Sequence, residues 1–109
     1  MDTLIHWRKA RQIWPELVAK PDPIVRVNNR LRKTAGLCYV ETGKIELSGP
    51  FLDKYFHYMM TQILAHETAH YVDFCLYGWQ KYKRHHGRLW QAIMHELGYN
   101  PEPYHTLRV

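Results

Sequence analysis

The stretch Leu64-Ala65-His66-Glu67-Thr68-Ala69-His70-Tyr71-Val72 lies inside a run, Phe51 to Tyr77, that contains neither proline nor glycine. Phe56, Met59, Met60, Ile63, Leu64 and Val72 supply an apolar side along it, and Gly78 provides the stop. The pattern predicts one long helix over 51–77. On a helix, residues four apart stack on the same face, so His66 and His70 can present two imidazole nitrogens to one ion. Zinc takes such nitrogens at about 2.0–2.1 Å. Glu67 is turned about 100° from His66, close enough to accept a proton from a zinc-bound water. Zinc brings the pKa of that water to about 7, so the carboxylate acts as general base. This is the chemistry of peptide hydrolysis by His-Glu-x-x-His helices.

A chain with eight histidines can produce such a five-residue pattern by accident. The neighbours argue against accident: Ile63, Leu64, Thr68, Ala69, Tyr71 and Val72 are uncharged, as a site on a buried helix face requires. Hydrolytic zinc sites use three protein ligands and leave the fourth position to water. His86, followed by Gly87, is the leading third ligand, since glycine lets the backbone come close. His85 is the alternative, and His95 could face the site or pack in the core. His6, His57 and His105 read as surface or satisfied core histidines.

Outward from the motif, Thr3 to Val18 alternates apolar and basic positions at helical spacing, with Asp2 or Thr3 as N-cap and a kink or restart at Pro15. Pro21-Asp22-Pro23 forms a turn. Ile24 to Val27, Gly36 to Val40 and Lys44 to Leu47 read as three strands, the last two close enough to pair antiparallel. A last helix spans 86–97, with Gly98 as its cap, and a tail with Pro101 and Pro103 runs extended to Val109. The expectation is one α+β domain over 1–109: N-terminal helix 3–18, a small three-stranded sheet across 24–47, active-site helix 51–77 and C-terminal helix 86–97.

These residues resemble the SprT-like family, whose best-known eukaryotic member is Spartan, the protease that degrades proteins crosslinked to DNA. Val27-Asn28-Asn29-Arg30 and Thr34-Ala35-Gly36-Leu37-Cys38-Tyr39 look like the family's first strand, link and second strand, and Lys44-Ile45-Glu46-Leu47-Ser48 like its third. His66 to His70, His86-Gly87-Arg88-Leu89-Trp90 and Leu97-Gly98-Tyr99 follow in the same order. The resemblance implies a zincin-like metallopeptidase fold, one zinc ion on His66, His70 and His86, Glu67 as catalytic residue, and action near DNA. The resemblance is to a minimal form of the family, expected to do without the four-cysteine zinc ribbon and the long recruiting tails that other members carry. Such a form suits a bacterium or a virus of bacteria.

The net charge of +5 favours acidic partners. The basic residues fall in three groups: Arg8, Lys9 and Arg11; Arg26, Arg30, Arg32 and Lys33; Lys81, Lys83, Arg84 and Arg88. Trp79 and Tyr82 interleave the last group, a combination suited to stacking bases and contacting phosphates of single-stranded DNA. A solvated basic face and core-packed aromatics would give the same pattern. Cys38 and Cys75 have neither disulfide nor zinc-pair spacing and read as buried reduced thiols. No apolar run approaches the roughly 20 residues of a membrane span, and Met1 to Arg11 lacks the apolar stretch of a secretory signal. The expected location is cytoplasmic: with the nucleoid in a bacterium, in the host cytoplasm for a virus.

A protein or peptide substrate is expected to add as a strand to the Lys44–Leu47 edge, with Tyr104, His105 or Arg88 supplying an oxyanion donor. Two other readings compete: a zinc-stabilised DNA- or protein-binding module that hydrolyses nothing, and a peptidase unconnected with nucleic acid. Glu67 argues against the first, since a structural zinc site needs no carboxylate there.

Overall fold

The computed structural model describes residues 1–79 and 85–109. Pro15 divides the N-terminal segment as its ring requires. Helix α1 covers Ile5–Ile13, and a 3-10 helix, Pro15–Ala19, follows a break at Trp14 (φ −120°, ψ 89°). The expected 3–18 helix is therefore two pieces. Its N-cap is Leu4 rather than Asp2 or Thr3, and the Leu4 N–H donates to Asp2 Oδ1 at 3.2 Å. The 20–23 turn is tied back to the core: Trp7 Nε1 donates to Asp22 Oδ1 at 2.9 Å, and the Tyr71 hydroxyl to the Pro21 carbonyl at 2.8 Å.

Strands β1 (Ile24–Asn28), β2 (Gly36–Tyr39) and β3 (Lys44–Ser48) form one mixed sheet in the order β1-β3-β2. β2 and β3 pair antiparallel, as their spacing predicts, while β1 pairs parallel with β3. This overturns the expectation that β3 is the sheet edge beside the cleft: β3 is central, and β2 carries the free edge there. Although Lys44-Ile45-Glu46-Leu47 alternates polar and apolar residues, Glu46 is buried with Ile45, Leu47 and Ser48. Asn28 Nδ2 of neighbouring β1 donates to its carboxylate, and Lys44 Nζ, two residues along β3 itself, lies 3.8 Å from it.

The run expected as a single helix is segmented. Ser48 caps α2 (Gly49–Lys54), its Oγ accepting from the Phe51 N–H at 3.2 Å while donating to the Leu31 carbonyl at 2.6 Å. The chain breaks at Tyr55 (φ −130°, ψ 47°), turns through α3 (Phe56–Tyr58), widens into a π-helical turn at Met59–Ile63 and continues as α4 (Leu64–Tyr77). The Met60 carbonyl in the widened turn accepts from Nε2–H of buried His6 at 2.9 Å. Gly78 (φ 70°) stops α4, and α5 spans Arg88–Leu97, closed by Gly98 in the left-handed region (φ 91°).

Helix α4 runs between two apolar clusters. Ala65, Ala69 and Val72 pack with Trp7, Ala10, Trp90, Ile93 and Leu97 from α1 and α5, and Leu64 packs with Ile45, Leu47, Phe51 and Met59 on the sheet side. The alanines let the helices approach closely around the motif. Cys38 and Cys75 are free thiols, half-buried rather than buried. Among the described residues no helix is long and apolar enough to cross a membrane.

Burial holds the His6 pKa below its ordinary 6.5, against the hydrogen bond to Met60, which pulls the other way. The unfolded chain therefore takes up the proton first, and this contribution to stability is full above pH 6.5 and is lost as pH falls through the folded value. Thermal melts between pH 7 and pH 5 test it. His6→Gln, which keeps an N–H donor without a titrating ring, is expected to lose less stability on acidification than wild type.

Candidate metal centre and catalytic cleft

One turn of α4 sets His66 above His70, and the entry to α5 brings His86 to the same point. The Nε2 atoms of His70 and His86 each lie 3.2 Å from Nε2 of His66. Two ligands at about 2.0–2.1 Å from one tetrahedral ion stand about 3.3–3.4 Å apart, so the donor set fits a zinc-sized ion. Among the described residues this is the group of three that could hold a metal ion. His85 is exposed, with its ring 6.2 Å from that of His70, and His95 points to solvent on α5; neither joins the triad.

The triad rests on Trp90. Its fully buried indole has its ring centroid 4.8 Å from those of His66 and His86 and 5.4 Å from that of His70, and Nε1 donates to the His66 carbonyl at 3.3 Å. Burial, with His86 alongside, lowers the His66 pKa to about 4, so the imidazole is neutral with a free lone pair at neutral pH. Burial pushes the Glu67 carboxyl up to about 8, and its Oε2 sits 3.8 Å from His66 Nε2. A nearby cation would favour the carboxylate and bring that value down.

Gly36 of β2 gives Glu67 its room. A Cβ there would stand 3.1 Å from Glu67 Cγ and 3.2 Å from Ile63 Cγ2. The edge strand thus passes directly beside the carboxylate.

The model of the SprT-like family matches residues 4–107. The chain belongs to the SprT-like family. No solved structure matches it.

In this SprT-like domain the histidines and Glu67 open on a cleft of about 1190 Å³. One wall is β2 with the loop before it, including Arg32, Lys33 and Gly36; the other is the tail from Glu102 to Val109. Of the expected oxyanion donors, only Tyr104 remains available, exposed in the cleft with its ring 5.6 Å from that of His86. Both ring nitrogens of His105 are engaged: Nε2–H donates to the Lys33 carbonyl and Nδ1 accepts from the Leu107 N–H, each at 3.1 Å. Arg88 is exposed on the first turn of α5 and does not line the cleft.

The residues expected to bind nucleic acid are divided. Arg32 and Lys33 line the cleft; Arg30 is exposed outside it, and Trp79 is 74% exposed, so it is not core-packed. Lys81, Tyr82, Lys83 and Arg84 lie outside the described residues. Sequence reasoning missed three participants: Trp90 as the floor of the triad, Gly36 as the clearance for Glu67, and the tail as a wall. The aromatic residue four positions after His86 was a usable signal for the first.

Gly36→Val is expected to displace Glu67 or open β2 and to cost about 1–3 kcal/mol, the usual range for overpacking. Urea denaturation against wild type measures it.

Proposed function

We propose that this SprT-like domain is a zinc-dependent metallopeptidase that cleaves DNA-associated or DNA-crosslinked proteins. The observation that carries the reading is the convergence of three imidazole Nε2 atoms, each of the outer two 3.2 Å from the central one, beside a buried carboxyl at the foot of an open sheet edge. His66, His70 and His86 would hold the ion. A bound zinc supplies Lewis-acid polarisation of a carbonyl and acidifies a water.

The chain's own groups do the rest. An extended substrate segment adds to the free edge of β2 by main-chain hydrogen bonds, with little demand on sequence. Because Gly36 abuts Glu67, the bond to be cleaved lies near that register position. Glu67 takes a proton from the attacking water and returns it to the leaving amine. A carboxyl whose environment lifts its pKa toward neutrality is suited to both halves of that transfer. Tyr104 is the side chain placed to donate to the developing oxyanion.

The connection with DNA rests on charge. Arg32, Lys33 and Arg108 line the cleft, and none of them forms an ion pair with another described residue. They suit the phosphates of a single strand entering beside the peptide site.

Glu67→Gln is expected to retain one equivalent of zinc while kcat/KM for peptide cleavage falls by about 10²–10⁴; zinc analysis and a cleavage assay with and without single-stranded DNA measure both. Cleavage unchanged in the variant removes Glu67 as general base. Zinc bound with no cleavage by wild type under any condition favours a non-hydrolysing binding module. Replacing Arg32 and Lys33 together by alanine is expected to weaken single-stranded DNA binding. It should also flatten the salt dependence by about 0.7 in log–log slope for each phosphate no longer neutralised. An unchanged slope would separate the peptidase from nucleic acid.

A further inference from the structure

A metal-binding imidazole needs its other ring nitrogen held, because that hydrogen bond fixes both the tautomer and the ring orientation. For His66 the partner comes from the tail: Nδ1 lies 3.2 Å from the Glu102 carbonyl oxygen. A carbonyl only accepts, so Nδ1 carries the proton and Nε2 keeps its lone pair toward His70 and His86.

The Glu102 carbonyl is itself placed by its neighbours. The Glu102 N–H donates to the Asn100 carbonyl at 2.9 Å, closing a three-residue turn with Pro101 at its centre. The ring-locked φ of proline suits that turn, and Pro103 disfavours the helical region for Glu102 before it. The helical run that carries His66 grips the same turn from below. Gln62 Nε2 donates to the Asn100 carbonyl at 2.6 Å, and the Tyr58 hydroxyl to the Glu102 carboxylate at 3.4 Å. Farther along, His105 ties the tail to Lys33, and the Tyr55 hydroxyl donates to the Arg108 carbonyl at 2.6 Å.

We propose that Pro101-Glu102-Pro103 is a positioning element of the metal centre, acting through the Glu102 backbone carbonyl on His66. It holds His66 in the Nδ1–H tautomer with Nε2 aimed at the other two ligands before any ion arrives. The proposal rests on the metal-centre reading above.

The test uses the full chain with Pro101→Gly and Pro103→Gly combined. Two readouts are needed: zinc affinity by competition with a chromophoric chelator, and the tautomer of His66 in metal-free protein by long-range ¹H–¹⁵N NMR. Wild type is expected to show the Nδ1–H form, and the double variant a mixture of tautomers with zinc affinity lower by about 10–100-fold, the usual effect of losing such a partner. If the double variant fails to fold, Gln62→Ala loosens the same turn from the helix side and is expected to shift both readouts in the same direction. Wild-type affinity and tautomer in the loosened variants, or an Nε2–H His66 in wild type, overturns the proposal. Failure of wild type to bind zinc overturns the metal-centre reading instead, and the tautomer measurement still decides this one.

Discussion

Three imidazoles brought to one point must present lone pairs there to hold an ion, and in this chain the Nε2 atoms of His70 and His86 each stand 3.2 Å from that of His66. Most of the structure around α4 bears on that constraint. Trp90 lies against all three rings. Ala65 and Ala69 pack directly against residues of α1 and α5, and burial keeps His66 neutral. A donor set assembled in advance loses less freedom on binding than one gathered by the ion, which is the physical basis of preorganisation.

The same burial raises the Glu67 carboxyl, so the arrangement that favours neutral imidazoles also keeps a proton on the neighbouring acid. A divalent cation reverses that balance by favouring the carboxylate. Binding and proton chemistry are thus coupled through one buried patch of α4, with β2 passing over it at the one residue, Gly36, that lacks a side chain to obstruct Glu67.

Local pattern was enough to read the motif, the three strand positions, the restart at Pro15 and the stops at Gly78 and Gly98, because each depends on residues adjacent in sequence. What escaped depends on partners far away. The central place of β3 follows from the parallel pairing with β1, which no turn signal announces, and Glu46 looks solvent-facing until Asn28 of β1 is seen to meet its carboxylate. The widened turn at Met59–Ile63 has no proline or glycine to mark it; its carbonyl partner, His6, lies 54 positions from Met60. The tail was legible as extended chain, but its place on the cleft rests on hydrogen bonds to Lys33, Tyr55 and Gln62 made across the molecule. The site was read further than the fold because one helical turn carries two of its three histidines.

The central claim is that His66, His70 and His86 hold one zinc ion with a position left open. X-ray absorption at the zinc edge of the loaded protein tests it most directly. Three imidazole nitrogens and one oxygen ligand at about 2.0–2.1 Å are the predicted result. A sulfur shell at about 2.3 Å, which would mean a cysteine ligand, or a shell without imidazole scattering, would contradict it.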